Sequence, residues 1–125
     1  MSPRVLVIED NDLNLKLVRD VLEHAGYDVG WATTGELGVE AAAAEPPDLV
    51  LLDLQLPGID GHETLRRLRA EVLPEGVPVV AVTALAMAED RDRASRAGFD
   101  GYLEKPISPR ALPGQVQHFL GGGAP

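Results

Sequence analysis

Five short apolar runs recur along the chain, separated by longer segments in which apolar residues repeat every three or four positions. Continuous runs rich in valine and leucine are typical of strands buried on both faces of a sheet, whereas the longer spacing is typical of amphipathic helices. The pattern therefore predicts strands that alternate with helices. The predicted strands cover residues 5–8, 27–32, 49–52, 79–82 and 101–103.

Capping and turn residues predict where the helices begin and end. Asn11 or Asp12 is suited to cap the first helix, and Gly26 is suited to end it. In the last helix Pro113 and Gly114 come soon after the start, which predicts a late beginning or a kink. The predicted helices cover residues 13–25, 36–44, 62–72 and 88–97, and a fifth follows residue 109.

The strict alternation of strands and helices indicates the fold class. Parallel strands need crossover connections, and right-handed crossovers lay helices on both faces of the sheet. We therefore expect one doubly wound α/β domain over residues 1–120, with residues 121–125 as a flexible tail. In such a sheet ligands bind beyond the carboxyl ends of the strands, where the winding direction switches.

Acidic residues end two of the predicted strands. Glu9 and Asp10 follow the first strand, and Asp53 follows the third. If the two strands are neighbours, three carboxylates share one pocket, and unit charges about 4 Å apart repel by about 4 kcal/mol at an effective dielectric of about 20. A hard cation such as Mg²⁺ relieves this repulsion, because it prefers oxygen ligands. Taken singly, each acid is better explained by helix capping or loop solvation, and it is the grouping of three at strand ends that favours a metal site.

Two further residues at strand ends suit an anion. Thr83 supplies a hydroxyl at the end of the fourth strand, and Lys105 follows the fifth. A lysine ammonium directed at such a pocket acts as a point charge for phosphate. Alone, either residue is an ordinary surface or strand-end side chain.

The first helix suggests a contact for a partner. Its predicted core face leaves Leu15 towards solvent beside the acidic pocket, where it is either a docking contact or an ordinary exposed leucine. That core face consists of Leu17, Val18, Val21 and Leu22.

Composition narrows the classes of partner and compartment. The chain has a net charge of -9 and no cysteine. Direct binding to nucleic acid needs a basic face, so it is not expected. The lack of cysteine excludes disulfides, so nothing points to an oxidising compartment, and we expect a cytoplasmic protein without membrane insertion.

These motifs together closely resemble the response-regulator receiver family over nearly the whole chain. Within that family, the segment Glu-Asp-Asn-Asp-Leu-Asn at residues 9–14 is similar to the stand-alone cell-cycle receivers of the DivK type. The resemblance implies a five-stranded parallel sheet of order 2-1-3-4-5 in a flavodoxin-like (βα)5 domain. The motifs that carry it are IEDN at residues 8–11, LDLQLPGIDG at 52–61, VTA at 82–84 and YLEKP at 102–106.

The resemblance also implies roles for the acidic residues. Asp53 would accept a phosphoryl group, and Asp10, Asp53 and the backbone carbonyl of Gln55 would bind Mg²⁺, with Mn²⁺ as a substitute. Glu9 would support the metal through water. The domain would be no enzyme in the usual sense, but would assist its own phosphorylation and dephosphorylation.

The remaining implied roles concern the phosphoryl group and the signal. Thr83 and Lys105 would hold the phosphoryl oxygens, and Tyr102 would turn inward as the Thr83 hydroxyl moves. A cis peptide before Pro106 is also implied. The donor would be a sensor histidine kinase or a histidine phosphotransfer protein, and the receiver, a monomer or weak dimer, would act on a downstream protein.

Other interpretations stay open from the sequence. The chain could be a receiver fragment of a hybrid kinase or larger regulator, or a receiver-like interaction module that is never phosphorylated. An aspartyl-phosphate hydrolase is a remote alternative, because such enzymes usually carry a second acid two residues after the nucleophile, where this chain has Gln55.

Overall fold

The structure, a computed structural model, describes residues 2–84 and 88–121, with side chains for all of these except residues 88–90. Strands and helices alternate as the sequence predicts. The strands are β1 (Arg4–Ile8), β2 (Asp28–Ala32), β3 (Leu49–Asp53), β4 (Val79–Thr83) and β5 (Gly101–Glu104). The helices are α1 (Asp12–His24), α2 (Gly35–Ala44), α3 (Gly61–Arg67), α4 (Ala88–Ala97) and α5 (Leu112–Leu120), and a π-helical turn (Leu68–Val72) extends α3.

All strand pairs in the sheet are parallel, and the strand order is β2-β1-β3-β4-β5. The doubly wound fold and its implied order are therefore confirmed. Ile8 pairs with Leu52, and Asp53 pairs with Val82. The chain winds outward in both directions from β1 and β3, so the switch point lies between the ends of these two strands.

Each face of the sheet packs against its own set of helices. On one face, alternate strand residues such as Val5, Leu51 and Val82 pack with residues of α1 and α5. On the other, residues such as Leu6 and Leu52 pack with α2, α3 and α4. The two-residue period of a strand divides its side chains between the faces, and burial on both sides explains why the strand sequences are almost wholly apolar.

Local hydrogen bonds explain where the first and last helices begin. Asn11 caps α1, because its side-chain oxygen accepts a hydrogen bond from the Asn14 N–H at 3.0 Å. The last helix starts only at Leu112, with Pro113 in its first turn, where a missing N–H costs no helical hydrogen bond. The prediction of a late start is confirmed.

The predicted core face of α1 is confirmed at Val18 and Leu22, but it is wrong at Leu15. Leu15 is 6% exposed and belongs to the core, whereas Leu13 is 79% exposed. The residues of α1 that are fully buried are Leu15, Val18 and Leu22, spaced by three and four positions along one face. The expected core residues Leu17 and Val21 are only half-buried. A docking role for Leu15 is therefore excluded by its burial.

The expected tail covers residues 121–125, of which the structure describes only Gly121, the residue that ends α5. Residues 122–125 lie outside the described residues, so the domain boundary at residue 120 stays a prediction. Within residues 2–84 and 88–121, no helix is long and apolar enough to cross a membrane.

Candidate functional site

The candidate site is formed where β1 and β3 end side by side. Glu9 and Asp10 follow β1, and Asp53 is the last residue of β3. Each of the three offers a carboxylate oxygen, and these oxygens all lie within 4.8 Å of one another. Glu9 and Asp53 are buried, with exposed fractions of 5% and 2%, while Asp10 is exposed. The prediction that the three carboxylates meet is confirmed.

Lys105 connects two of these carboxylates. Its Nζ lies 3.0 Å from Glu9 Oε1 and 3.0 Å from Asp53 Oδ2. The lysine backbone is held as well, since its N–H donates a hydrogen bond to the Thr83 carbonyl at 2.8 Å. The Lys105-Pro106 peptide is cis, as the family resemblance implies.

Backbone N–H groups fix the orientation of two carboxylates. The Gln55 N–H donates a hydrogen bond to Asp53 Oδ1 at 2.9 Å, and the Asn11 N–H donates one to Glu9 Oε2 at 3.2 Å. Both contacts span two residues. The sequence reasoning missed these donors, although an acid two residues before an exposed loop position is a common signal for this kind of turn.

The electrostatics of the site follow from its charges. Burial raises the pKa of Glu9 to about 7, and its contact with Asp53 adds to this, although Lys105 and the Asn11 N–H act in the opposite direction. Burial lowers the pKa of Lys105, but the hydrogen bonds with Glu9 and Asp53 outweigh it and raise the pKa above its ordinary value. One ammonium thus faces two buried carboxylates, and the pKa of Glu9 stays above its ordinary value despite the contact with Lys105.

Thr83 and Tyr102 lie on the neighbouring strands. Thr83 is fully buried and follows Val82, the partner of Asp53 in the sheet, so the register brings it beside the site. Tyr102 is half-buried on β5 and pairs with Ala81. The Arg91 guanidinium lies 5.6 Å from the centre of the Tyr102 ring. The same guanidinium lies 3.6 Å from Glu104 Oε2, so an ion pair of Arg91 connects α4 to the end of β5.

The donor set fits a hard divalent cation. The cleft has a volume of about 520 Å³ and is open to solvent. Its lining includes all three carboxylates, Gln55 and Lys105. Grouped carboxylate oxygens with room for water are the surroundings that Mg²⁺ prefers, because this ion keeps several of its waters.

Comparisons with known sequences agree with this geometry. The family model of the response regulator receiver domain matches residues 5–117. The chain is 37% identical over 121 residues to the polar-differentiation response regulator DivK of Brucella ovis, which covers 97% of this chain and 98% of that protein. The same identity and coverage hold for the DivK of Brucella suis.

Solved structures share the fold over nearly its whole length. The receiver domain of a sensor histidine kinase from Pseudomonas aeruginosa, with a magnesium ion coordinated in its active-site cleft, has a TM-score of 0.86 and 32% identity. That match covers 97% of this chain and 99% of the other. A CheY-like receiver domain protein from Methanospirillum hungatei matches with a TM-score of 0.86 and 29% identity, over 98% and 96% of the two chains.

Proposed function

The chain belongs to the response regulator receiver family, and on that premise we propose that it accepts a phosphoryl group from phosphohistidine onto Asp53. The observation that carries the proposal is the setting of the Asp53 carboxylate. It is buried beside Glu9 and Asp10, and its two oxygens bind the Gln55 N–H and the Lys105 ammonium. A carboxylate held in this way has a fixed orientation, which in-line transfer requires.

In the proposed transfer an oxygen of Asp53 attacks phosphorus and forms an O–P bond. The N–P bond to the donor histidine breaks, and the imidazole leaves with the electron pair. Hydrolysis of the acyl phosphate later returns the carboxylate and inorganic phosphate. Lys105, which pairs with Asp53 Oδ2, and the Thr83 hydroxyl would bind the phosphoryl oxygens, whose negative charge must be balanced in the transition state.

Mg²⁺, with Mn²⁺ as a substitute, would be held by Asp10, Asp53 and the Gln55 carbonyl, with Glu9 acting through water. When bound, the ion supplies positive charge that offsets the carboxylates and the incoming phosphoryl group. The cluster of oxygen donors within 4.8 Å supports this assignment. The Gln55 N–H and Lys105 would orient the Asp53 carboxylate, and Lys105 and Thr83 would bind the phosphoryl group.

The proposed signal passes through Thr83 and Tyr102 to partner proteins. A phosphoryl group on Asp53 would draw the Thr83 hydroxyl towards it, and the Tyr102 ring would turn inward. The donor would be a sensor histidine kinase or a histidine phosphotransfer protein. Similarity to DivK over 97% of the chain supports a role in the control of polar differentiation or the cell cycle, in the cytoplasm, through a downstream protein.

The direct test is intact-mass spectrometry after incubation with acetyl phosphate, with and without Mg²⁺. We expect one phosphoryl adduct that is labile in base, requires Mg²⁺ and is absent from Asp53→Asn. Asp60→Asn is the matched control, because Asp60 is an exposed helix cap and asparagine caps equally well. An adduct that persists in Asp53→Asn, or none in the wild-type protein, would contradict the proposal.

A further inference from the structure

A tight packing contact joins the start of α2 to the loop that follows Asp53. Gly35, the first residue of α2, is buried against Ile59 of this loop and Thr64 of α3. A Cβ placed on Gly35 would lie 2.1 Å from Thr64 Oγ1 and 2.7 Å from Ile59 Cγ1. Both distances are much shorter than van der Waals contact, so only glycine allows the two side chains to lie where they do.

The helix α2 is itself fixed in place, so it offers this loop a rigid surface. Gly38, about one turn after Gly35, lies so close to β1 that a Cβ there would be 2.4 Å from Ile8 Cδ1. The Thr34 hydroxyl caps the helix, because it accepts a hydrogen bond from the Leu37 N–H at 3.1 Å. The place of Gly35 is therefore set by β1 and by the cap, and the loop must fit against it.

The contact continues from α3 to the end of β3. Gly61 lies about one helical turn before Thr64, and a Cβ on Gly61 would lie 2.8 Å from the Leu54 Cα. The Gly61 N–H also donates a hydrogen bond to the Leu54 carbonyl at 3.4 Å. Leu54 stands between Asp53 and Gln55, whose N–H donates a hydrogen bond to Asp53 Oδ1 at 2.9 Å. Because close-packed interiors transmit strain, a displacement of α3 at Thr64 reaches the two residues proposed to hold Mg²⁺.

Several local contacts stiffen the loop between β3 and α3. The Thr64 hydroxyl donates a hydrogen bond to the Asp60 carbonyl at 2.8 Å, and Asp60 Oδ1 accepts one from the Glu63 N–H at 2.9 Å. Gly58 has a φ of +76°, a conformation that other residues rarely adopt, and Leu56 is buried in the core. A loop held at these points moves as a unit, so it does not absorb a displacement locally.

We propose that Gly35 is a positioning residue for the Mg²⁺ site, acting through Ile59 and Thr64 on the backbone of residues 53–55. Gly35 does not line the acidic cleft, so it acts on the metal only through these neighbours. The inference rests on the proposed function, since it concerns the same metal. Groups that orient metal ligands without binding the metal typically change metal affinity by about 10- to 100-fold. A side chain at Gly35 should therefore weaken Mg²⁺ binding although every ligand atom is retained.

The test titrates the protein with Mg²⁺, without a phosphodonor, and follows the Gln55 amide signal by NMR. Gly35→Ala should raise the Mg²⁺ dissociation constant by about tenfold, the lower end of that range. Gly101→Ala is the matched control, because its Cβ would lie 2.2 Å from Phe119 Cε1, a similar clash at the start of β5 and so at the sheet edge opposite the site. Ile59→Ala is a second variant, since it removes the contact with Gly35 without a clash, and it should also weaken Mg²⁺ binding.

Circular dichroism shows which variants are folded, and if Gly35→Ala is not, Ile59→Ala decides. Weaker Mg²⁺ binding in each folded loop variant, with wild-type affinity in Gly101→Ala, would support the role of Gly35. That role is overturned if either folded loop variant binds Mg²⁺ as the wild-type protein does, or if Gly101→Ala loses as much affinity. Such results leave the proposed function intact, whereas a wild-type protein that binds no Mg²⁺ would overturn both.

Discussion

Lys105 Nζ lies 3.0 Å from Asp53 Oδ2, although 52 residues separate the two along the chain. The same nitrogen lies 3.0 Å from Glu9 Oε1, so one ammonium balances the ends of β1 and β3. The Lys105 side chain is 19% exposed and both carboxylates are buried. Because these three side chains are largely shielded from solvent, loss of the lysine ammonium is expected to affect both stability and chemistry.

Lys105→Met leaves Glu9 and Asp53 facing each other without their cation. We expect the free energy of unfolding in metal-free buffer to fall by about 1–3 kcal/mol, the cost of an unsatisfied buried polar group. Mg²⁺ should raise the melting temperature of the variant more than that of the wild-type protein, because it replaces part of the lost charge. Urea unfolding and thermal melts measure both effects.

The control for this variant is Lys16→Met, which removes a lysine that is 74% exposed. It should change the free energy of unfolding by about 0.5 kcal/mol or less. Equal losses in the two variants would show that Lys105 does not stabilise the buried carboxylates.

The pKa of Glu9 predicts a pH dependence of stability in the metal-free protein. The folded value of about 7 lies above the ordinary value of 4.5, so between these pH values the folded protein holds a proton that the unfolded chain has released. The contribution of Glu9 to the free energy of unfolding therefore decreases as pH rises from about 4.5 to about 7 and is constant above.

Urea unfolding in the presence of a chelator, at several pH values, measures this slope. Glu9→Gln should remove it, whereas Glu23→Gln, at an exposed position of α1, should leave it in place. A slope that survives in Glu9→Gln would assign the pH dependence to another group.

The two leucines at the start of α1 predict opposite effects. Leu15→Ala should lower the free energy of unfolding by about 2–5 kcal/mol, because Leu15 is buried in the core. Leu13→Ala should change it by about 0.5 kcal/mol or less, since the Leu13 side chain is exposed. Leu13 also lines the acidic cleft, so its loss should slow transfer from a phosphorylated histidine phosphotransfer protein.

Acetyl phosphate provides the control for docking, because it needs no protein surface. Leu13→Ala should accept phosphate from acetyl phosphate at the wild-type rate. Unchanged transfer from the protein donor would remove Leu13 from the docking surface.

The two tyrosines of the chain allow the proposed switch to be observed. On phosphorylation with Mg²⁺, the ring signals of Tyr102 should shift in NMR spectra of protein labelled at tyrosine, because the ring moves away from the Arg91 guanidinium now 5.6 Å from its centre. Tyr27, which packs on the opposite face of the sheet, should be unaffected. Thr83→Ala should abolish the shift, and an unmoved Tyr102 signal in the wild-type protein would refute the switch.

The sequence by itself determined the alternation of strands and helices, and with it the place of the site. Apolar runs and caps such as Asn11 act locally, so they can be recognised without knowing what packs on them. The carboxyl ends of parallel strands lie at one edge, so Glu9, Asp10 and Asp53 were predicted to meet once β1 and β3 were taken as neighbours. Because β3 is buried on both faces, its positions favour apolar residues, so the aspartate at its end, Asp53, stands out as a candidate functional residue.

Only the tertiary structure decided the contacts made by individual side chains. Rotation of α1 by a fraction of a turn exchanges Leu13, Leu15 and Leu17 between core and solvent, and packing against β1 and α5 selects one orientation. The double contact of Lys105 with Glu9 and Asp53 depends on the registers of β1, β3, β4 and β5 together. Such distances follow from packing among elements far apart in sequence, and the spacing of residues along the chain carries no measure of them.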